Sequence, residues 1–250
     1  FADARQALLP ILLHPSPQRV LFLGLGTGVT SAAATQDPTL QVDVVELLPE
    51  VIDASAYFTD AMGSETGAGH RRVMAADARR FIRASHERYD VIIADNFHPA
   101  RSGSGALYTV EHFQAVQERL NAGGLFCQWL PLHQLDLATL ASIVRSFLQI
   151  YPHAGAMLAT NSLETPVLGL VSRRDEGSFP LDALNQRLAT TSLQPEVFGL
   201  PDEFALIGSF IAGPRALARF ASDAPLNTDD HPIVAYRAPR ITYMPDSLPR

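Results

Sequence analysis

One run constrains this chain more than any other: Arg19-Val20-Leu21-Phe22-Leu23-Gly24-Leu25-Gly26-Thr27-Gly28. An apolar strand empties into a Gly-x-Gly-x-Gly loop, and a helix-forming stretch from Val29 to Thr35 follows. Val42-Asp43-Val44-Val45-Glu46 then supplies a second strand ending in a carboxylate. Glycines in such a loop let the backbone turn tightly and approach a ligand, and an acid about 20 residues on can grip ribose hydroxyls. The pattern is that of a nucleoside-binding βαβ unit. It assigns Gly24, Gly26, Thr27, Gly28 and Glu46 to a small adenosine-containing ligand.

The rest of the chain extends the alternation. Strands are predicted at 19–24, 41–47, 71–75, 89–94, 124–130, 155–160 and 166–172, and helices at 28–35, 49–59, 77–86, 109–120 and 136–150. Such alternation implies a doubly wound, mostly parallel sheet with helices on both faces. Val91-Ile92-Ile93-Ala94 is apolar on both faces, as a central parallel strand should be. Phe1 to His14 reads as an amphipathic lead-in helix ended by Pro15-Ser16-Pro17. Segment 1–17 is thus a lead-in, 18–175 the Rossmann-like donor-binding domain, and 176–250 a helical tail packing on it. In that tail 180–188, 202–211 and 214–221 read as short helices before a Pro-rich irregular end.

Ligands of such sheets lie beyond the carboxyl ends of the strands. Four strands deliver Gly24–Gly28, Glu46, Asp77 (with Ala78 beside it) and Asp95 to that rim. Asp77 alone reads equally as a helix N-cap and as a ligand. As a third-strand acid placed to meet an adenine amino group, it points to S-adenosylmethionine-type donors rather than to nicotinamide. The fold class is therefore α/β, a class I methyltransferase-like Rossmann fold.

Composition removes other classes. A net charge of −7 without a basic block argues against nucleic-acid partners. No apolar stretch reaches the roughly 18 residues of a membrane helix. Cys127 is the sole cysteine, which excludes an internal disulfide and suits a reducing, cytoplasmic setting. The histidines His70, His86, His112, His133 and His153 have no metal-ligand spacing, so no metal is expected.

These residues together resemble the spermidine synthase (polyamine aminopropyltransferase) family. The likeness covers about His14 to Arg240. It rests on Leu12-Leu13-His14-Pro15-Ser16-Pro17-Gln18-Arg19-Val20-Leu21, the glycine loop, Glu46, Asp77, Tyr89-Asp90-Val91-Ile92-Ile93-Ala94-Asp95 and the tail Asn227-Thr228-Asp229-Asp230-His231. The resemblance implies that Glu46 holds ribose, Asp77 adenine, and Asp95 serves as the catalytic aspartate. The chain departs from the family in four places. Thr27 stands where members usually carry Asp, and Asp95-Asn96-Phe97-His98-Pro99 replaces Asp-x-x-Asp-Pro. Pro225-Leu226 replaces tyrosines, and Ala2-Asp3 replaces a Tyr-His pair. The donor half is kept and the diamine half altered. The family's N-terminal hairpin domain is not expected within this sequence, and relatives with a plain Gly-Leu-Gly-Thr-Gly loop resemble domains fused to a membrane segment. This segment itself is expected to make no membrane contact, and to be either cytoplasmic or a cytoplasm-facing domain. A homodimer is a further expectation from the family.

Aminopropyl transfer is a displacement at carbon by an amine, with methylthioadenosine leaving. A free Asp and an alkylamine differ by roughly 6.5 pKa units, about 9 kcal/mol, so Asp95 cannot act as a solvated base. It can orient the amine and accept its proton in a closed site. His98 is a second candidate base with an ordinary pKa near 6.5, or a loop histidine. Asn96, Tyr108, Gln128 and Trp129 are candidate acceptor-pocket residues, with a core role the alternative for Trp129. For His231 and Asp229 the readings are closure over the site or anchoring of the tail, with anchoring preferred for His231. The loop Pro99–Ala106 reads as a lid or as a plain connector. A carboxylate at position 27 would repel that of intact S-adenosylmethionine by about 4 kcal/mol at 4 Å in a surface-like dielectric. That repulsion would select the decarboxylated donor, and Thr27 lacks it. The leading expectation is transfer of an aminopropyl group from decarboxylated S-adenosylmethionine to a small-molecule amine acceptor. Methyl transfer from S-adenosylmethionine is the runner-up, and a non-catalytic nucleoside-binding domain of a larger protein the third.

Overall fold

A computed structural model describes residues 2–61, 71–159, 162, 164–175 and 179–242. Phe1, His70, the end of the predicted strand at residue 160 and the tail beyond 242 lie outside the described residues. The first half runs α1 (Ala2–Leu13), β1 (Arg19–Leu23), α2 (Val29–Ala34), β2 (Gln41–Glu46), α3 (Pro49–Ala61), β3 (Arg71–Ala75), α4 (Ala78–Ala84) and β4 (Tyr89–Ala94). The second continues with α5 (Val110–Glu118), β5 (Leu120–Pro131), α6 (Leu137–Ile150), β6 (Gly155–Leu158) and β7 (Val167–Arg173). The final stretch holds α7 (Leu181–Thr190), α8 (Glu203–Ile207), β8 (Phe210–Ala212), α9 (Pro214–Phe220) and α10 (Ile233–Thr242).

The strands form one mostly parallel sheet in the order β3-β2-β1-β4-β5-β7-β6-β8. β1 pairs in parallel with both β2 and β4, and β4 with β5, while β7 runs antiparallel between β5 and β6. The order reverses between β1 and β4, which opens a crevice beyond their carboxyl ends. β1 and β4 are buried along nearly their whole length, as their uninterrupted apolar sequences require. Helices cover both faces. One apolar cluster joins α1, α2 and α7 to the sheet, and the other joins α5, α6 and α10 to it.

The lead-in helix is where expectation and structure part. α1 is not amphipathic in use: Ala4, Ala7, Leu8, Leu9, Ile11 and Leu12 are all at most 1% exposed, and Gln6 is buried too. α2 and the sheet flank it, and the Arg5 guanidinium donates to Ala159 O at 2.8 Å and Phe198 O at 2.9 Å on its far side. The helix contains Pro10, which has no N–H to give the carbonyl of Gln6 one turn earlier. That carbonyl instead accepts the indole N–H of Trp129 at 3.0 Å. A buried carbonyl thus keeps a partner despite the proline.

Two further corrections lie in the tail. The helix predicted over 202–211 stops at Ile207, and Phe210–Ala212 pairs antiparallel with β6 as an eighth strand. The end expected to be irregular carries α10, which buries Val234 and Ala238. Pro232 immediately precedes its first residue.

Trp129→Phe keeps most of the ring volume but leaves Gln6 O unpartnered in the core. It is expected to cost about 1–3 kcal/mol of stability, the penalty for an unsatisfied buried acceptor, read by denaturant unfolding. A loss below about 0.5 kcal/mol would show that the carbonyl finds another donor.

Candidate active site

The crevice is built from backbone first. Gly24 N–H donates to Val45 O at 2.8 Å, Asp95 N–H to Leu23 O at 2.9 Å, and Ala76 N–H to Glu46 O at 2.8 Å. The ladder therefore continues one residue past the strand ends and fixes the loop, Asp95 and the approach to Asp77 on one rim. Gly24 and Gly26 have φ of +97° and +53°, which favour glycine. A Cβ on Gly24 would lie 3.0 Å from Cβ of Asp95, and one on Gly26 3.3 Å from Asp95 Oδ2. The loop and Asp95 therefore form one continuous wall. Gly28, at φ +79°, precedes α2, while Thr27 is exposed at the tip.

Each candidate carboxylate has its own restraint. Glu46 accepts Leu25 N–H through Oε2 and Leu48 N–H through Oε1, both at 3.1 Å. Its carboxylate is thus tied into the glycine loop, and each oxygen has a second lone pair for a ligand hydroxyl. Asp77 N-caps α4, with Oδ1 accepting Arg80 N–H at 2.8 Å, and Ala78 begins that helix. The capping role is therefore realised, and it uses one of the two carboxylate oxygens.

Asp95 is the perturbed group. Loss of hydration lifts its pKa to about 6, and the nearby carboxylates of Asp3 and Glu46 push in the same direction. The Asn96 N–H, which donates to Oδ1 at 2.8 Å, opposes the shift. Asp3 was seen in the sequence as a departure from a family pattern, and that its charge acts on Asp95 was missed. Only the folded position of α1 reveals it.

The acceptor candidates divide. Gln128 is fully buried, and its amide donates to Asp95 O at 3.3 Å and Trp129 O at 3.0 Å. Its Oε1 is buried without a protein partner. Tyr108 is also fully buried, and its hydroxyl donates to Phe97 O at 2.8 Å, so it braces the segment after Asp95 from behind. His98 lies partly buried in that segment, its Nδ1 accepting Ala100 N–H at 3.3 Å. Trp129 points away from the rim into the core against Gly169 and α1. A residue the sequence did not assign to the site, His133, lies in the turn just past β5; burial above all, and the influence of His98, depress its pKa. The predicted loop 99–106 includes part of a 3-10 turn, Ser104–Tyr108. Cys127 is buried and its thiol pKa is raised by desolvation, as an inert core cysteine requires.

The tail anchors rather than closes. Asp229 pairs with Arg79 and, at 3.1 Å, with Arg83 of α4. Asn227 is fully buried, donating from Nδ2 to Tyr108 O at 2.8 Å and Gly105 O at 3.3 Å. Among the described residues no cluster of three or more His, Cys, Asp or Glu side chains could hold a metal, and no helix is long and apolar enough to cross a membrane.

Residues 7–161 match the family profile described as the spermine/spermidine synthase domain. A spermidine synthase of Dictyostelium discoideum is 29% identical over 148 residues, 58% of this chain and 51% of that protein. A polyamine aminopropyltransferase of Methanocaldococcus jannaschii is 30% identical over 132 residues, 52% of this chain and 45% of that one. Putrescine N-methyltransferase 2 of Nicotiana tabacum is also 30% identical over 132 residues, 50% of this chain and 37% of that one. The chain thus matches about half the length of these relatives or less. Among solved structures, a spermidine synthase in complex with the transition state analogue AdoDATO superposes with a TM-score of 0.73 at 19% identity, covering 88% of this chain and 74% of that one. Human methyltransferase-like protein 13 in complex with SAH gives 0.56 at 20% identity, covering 78% and 88%. The fold is therefore that of spermidine synthases and class I methyltransferases, and the profile match across most of the glycine-loop half makes this chain a member of the spermine/spermidine synthase family.

Proposed function

We propose that this chain transfers an aminopropyl group from decarboxylated S-adenosylmethionine to a small amine. The observation that carries this reading is Asp95: a partly buried carboxylate in the crevice wall, its pKa raised by desolvation and further by the charges of Asp3 and Glu46. An acidic site in which Asp95 is desolvated attracts a cation and disfavours the ionisation of Asp95 until one arrives. An amine acceptor beside a sulfonium donor supplies that compensation. The similar spermidine synthase bound to AdoDATO supports a donor of this class.

In this reading Glu46 holds the ribose hydroxyls, Asp77 the adenine amino group, and the glycine loop the sulfonium tail. The acceptor nitrogen attacks the aminopropyl carbon attached to sulfur. The C–N bond forms as the C–S bond breaks, methylthioadenosine leaves with the bonding pair, and the nitrogen's proton passes to Asp95. At about 6, Asp95 differs from an alkylamine by roughly 4.4 units, about 6 kcal/mol, instead of the 9 of a solvated Asp. The crevice therefore removes about a third of the mismatch before the cationic transition state adds its own stabilisation. His98 and His133 are proposed to line the acceptor side, with Asn96 and Gln128 holding the Asp95 segment in place.

Methyl transfer from S-adenosylmethionine is the second reading, favoured by the relative named putrescine N-methyltransferase 2 and by Thr27. Thr27 is exposed, however. A charge there would act near the water limit, about 1 kcal/mol at 4 Å, so position 27 discriminates between donors by about fivefold at most. It is too weak a filter to decide the chemistry.

Three tests on two variants follow from this site. Asp95→Asn is expected to lower turnover at least 100-fold while nucleoside affinity stays within about threefold; activity within tenfold of the parent would remove Asp95 from the proton path. The same substitution is expected to stabilise the fold. A carboxyl whose folded pKa is raised binds more protons folded than unfolded between pH about 4 and 6, so stability falls as pH rises through that window. Above it the cost of the buried charge is about 3 kcal/mol. Asp95→Asn should therefore gain up to that amount at pH 7.5 and nothing at pH 3.5, read by urea unfolding; a destabilised variant at pH 7.5 would contradict the burial of charge. Thr27→Asp is expected to weaken intact S-adenosylmethionine about fivefold more than its decarboxylated form, measured by calorimetry. Equal losses would place the donor carboxylate away from the loop.

A further inference from the structure

Asp77 and Asp95 stand on different elements, and nothing in the sheet alone fixes α4 against the segment that follows β4. The side chain that spans the gap is Arg79, two residues after Asp77 and 15% exposed. One arm of its guanidinium donates to Ala106 O at 2.6 Å and Thr109 Oγ1 at 3.2 Å. The other arm makes the ion pair with Asp229. Ala106 lies in the Ser104–Tyr108 turn, and the same turn gives its Gly105 and Tyr108 carbonyls to Asn227. Three carbonyls of this turn, those of Gly105, Ala106 and Tyr108, are thus held from outside, by α4 and by the tail. The turn ends in Tyr108, whose hydroxyl grips Phe97 O, and Phe97 N–H returns to Asp95 O at 2.9 Å.

We propose that Arg79 is a positioning residue: through the Ser104–Tyr108 turn it sets the place of Asp95 relative to Asp77, and so the separation between the donor and the group that receives the proton. This rests on the reading of Asp77 and Asp95 given above. The planar fork matters because its two arms reach the turn and Asp229 separately in one fixed geometry, whereas an ammonium on a flexible stem offers a single centre with no rigid span between them. Arg83 differs in kind. It is half exposed and reaches Asp229 without touching the turn. Positioning within tenths of an ångström governs displacement rates, since the attacking atom must sit in near-attack geometry. Loosening the turn would also admit water to Asp95, whose surroundings are Asp3 from α1, Glu46 from the end of β2, Tyr108 from the turn and the Asn96 N–H.

The test uses Arg79→Lys in the full chain, with Arg83→Gln as the comparison. The Asp95 carboxyl is titrated by carbon NMR, its signal assigned from Asp95→Asn. Turnover is measured with decarboxylated S-adenosylmethionine, and affinity with methylthioadenosine. In Arg79→Lys the Asp95 midpoint is expected to fall by about one unit from about 6, towards the ordinary carboxylate range. Turnover should drop tenfold or more, with methylthioadenosine affinity within threefold. Arg83→Gln should leave the midpoint in place. Should Arg79→Lys not fold, Asp229→Asn keeps an acceptor for the fork while removing its charge, and is expected to move the midpoint the same way by a smaller amount. A lower melting temperature with an unmoved midpoint would reduce Arg79 to a structural tie and overturn the proposal. The titration needs no substrate, so it stands or falls apart from the assignment of the reaction.

Discussion

The structure depends on a charge held where water reaches it poorly. Asp95 follows directly on a strand buried along nearly its whole length, its Cβ side walled by Gly24 and its Oδ2 by Gly26, with Glu46 and Asp3 adding negative potential. Such a group destabilises the empty protein, so the surrounding contacts must over-determine its position. They do so through backbone. The continued β1–β4 ladder, the Asn96 N–H and the Gln128 amide all fix Asp95 or its carbonyl without neutralising its side chain by a cation. The arginines near the crevice are turned elsewhere: Arg79 and Arg83 are spent on Asp229. In the proposed reaction a sulfonium donor and an amine would supply the positive charge that no described residue gives to Asp95.

The same logic explains why elements distant in sequence matter to the site. α1 carries Asp3 to the crevice at one end and is held by its own peculiarity, the Pro10 gap that Trp129 fills. Asn227 uses every polar atom of its side chain to hold the Ser104–Tyr108 turn and the start of α10, where Val234 N–H donates to its Oδ1 at 3.1 Å. Both ends of the chain therefore work as clamps on a central βαβ frame. Stability and geometry of the site are linked through them.

Most of the frame was legible because parallel sheets declare themselves locally. Val91-Ile92-Ile93-Ala94 is too apolar to be anything but a central strand, and Gly24, Gly26 and Gly28 adopt the positive φ their spacing implied. The seven strands expected from alternation all form, whereas β8 was hidden inside a segment with helix-like composition. What escaped depended on long-range partners. The burial of α1 is invisible in a helix read alone, since its charged residues Asp3 and Arg5 suggest a solvent face. Trp129 could be read for either the rim or the core until Pro10 supplied its acceptor. Asp77 looked ambiguous between cap and ligand because the same oxygen pair suits both. Asp3, Arg79 and His133 carried no motif; their proximity to Asp95, to the Ser104–Tyr108 turn and to His98 is created by folding.

Relatives named for aminopropyl transfer and for N-methylation are nearly equally similar to this chain, so the transferred group is the central question. The most direct measurement is the nucleoside product by mass spectrometry, after incubation with decarboxylated and intact S-adenosylmethionine separately, each with a panel of diamines and polyamines. The account predicts methylthioadenosine from the decarboxylated donor, formed only when an amine is present. S-adenosylhomocysteine from the intact donor, with no methylthioadenosine from the other, would contradict it.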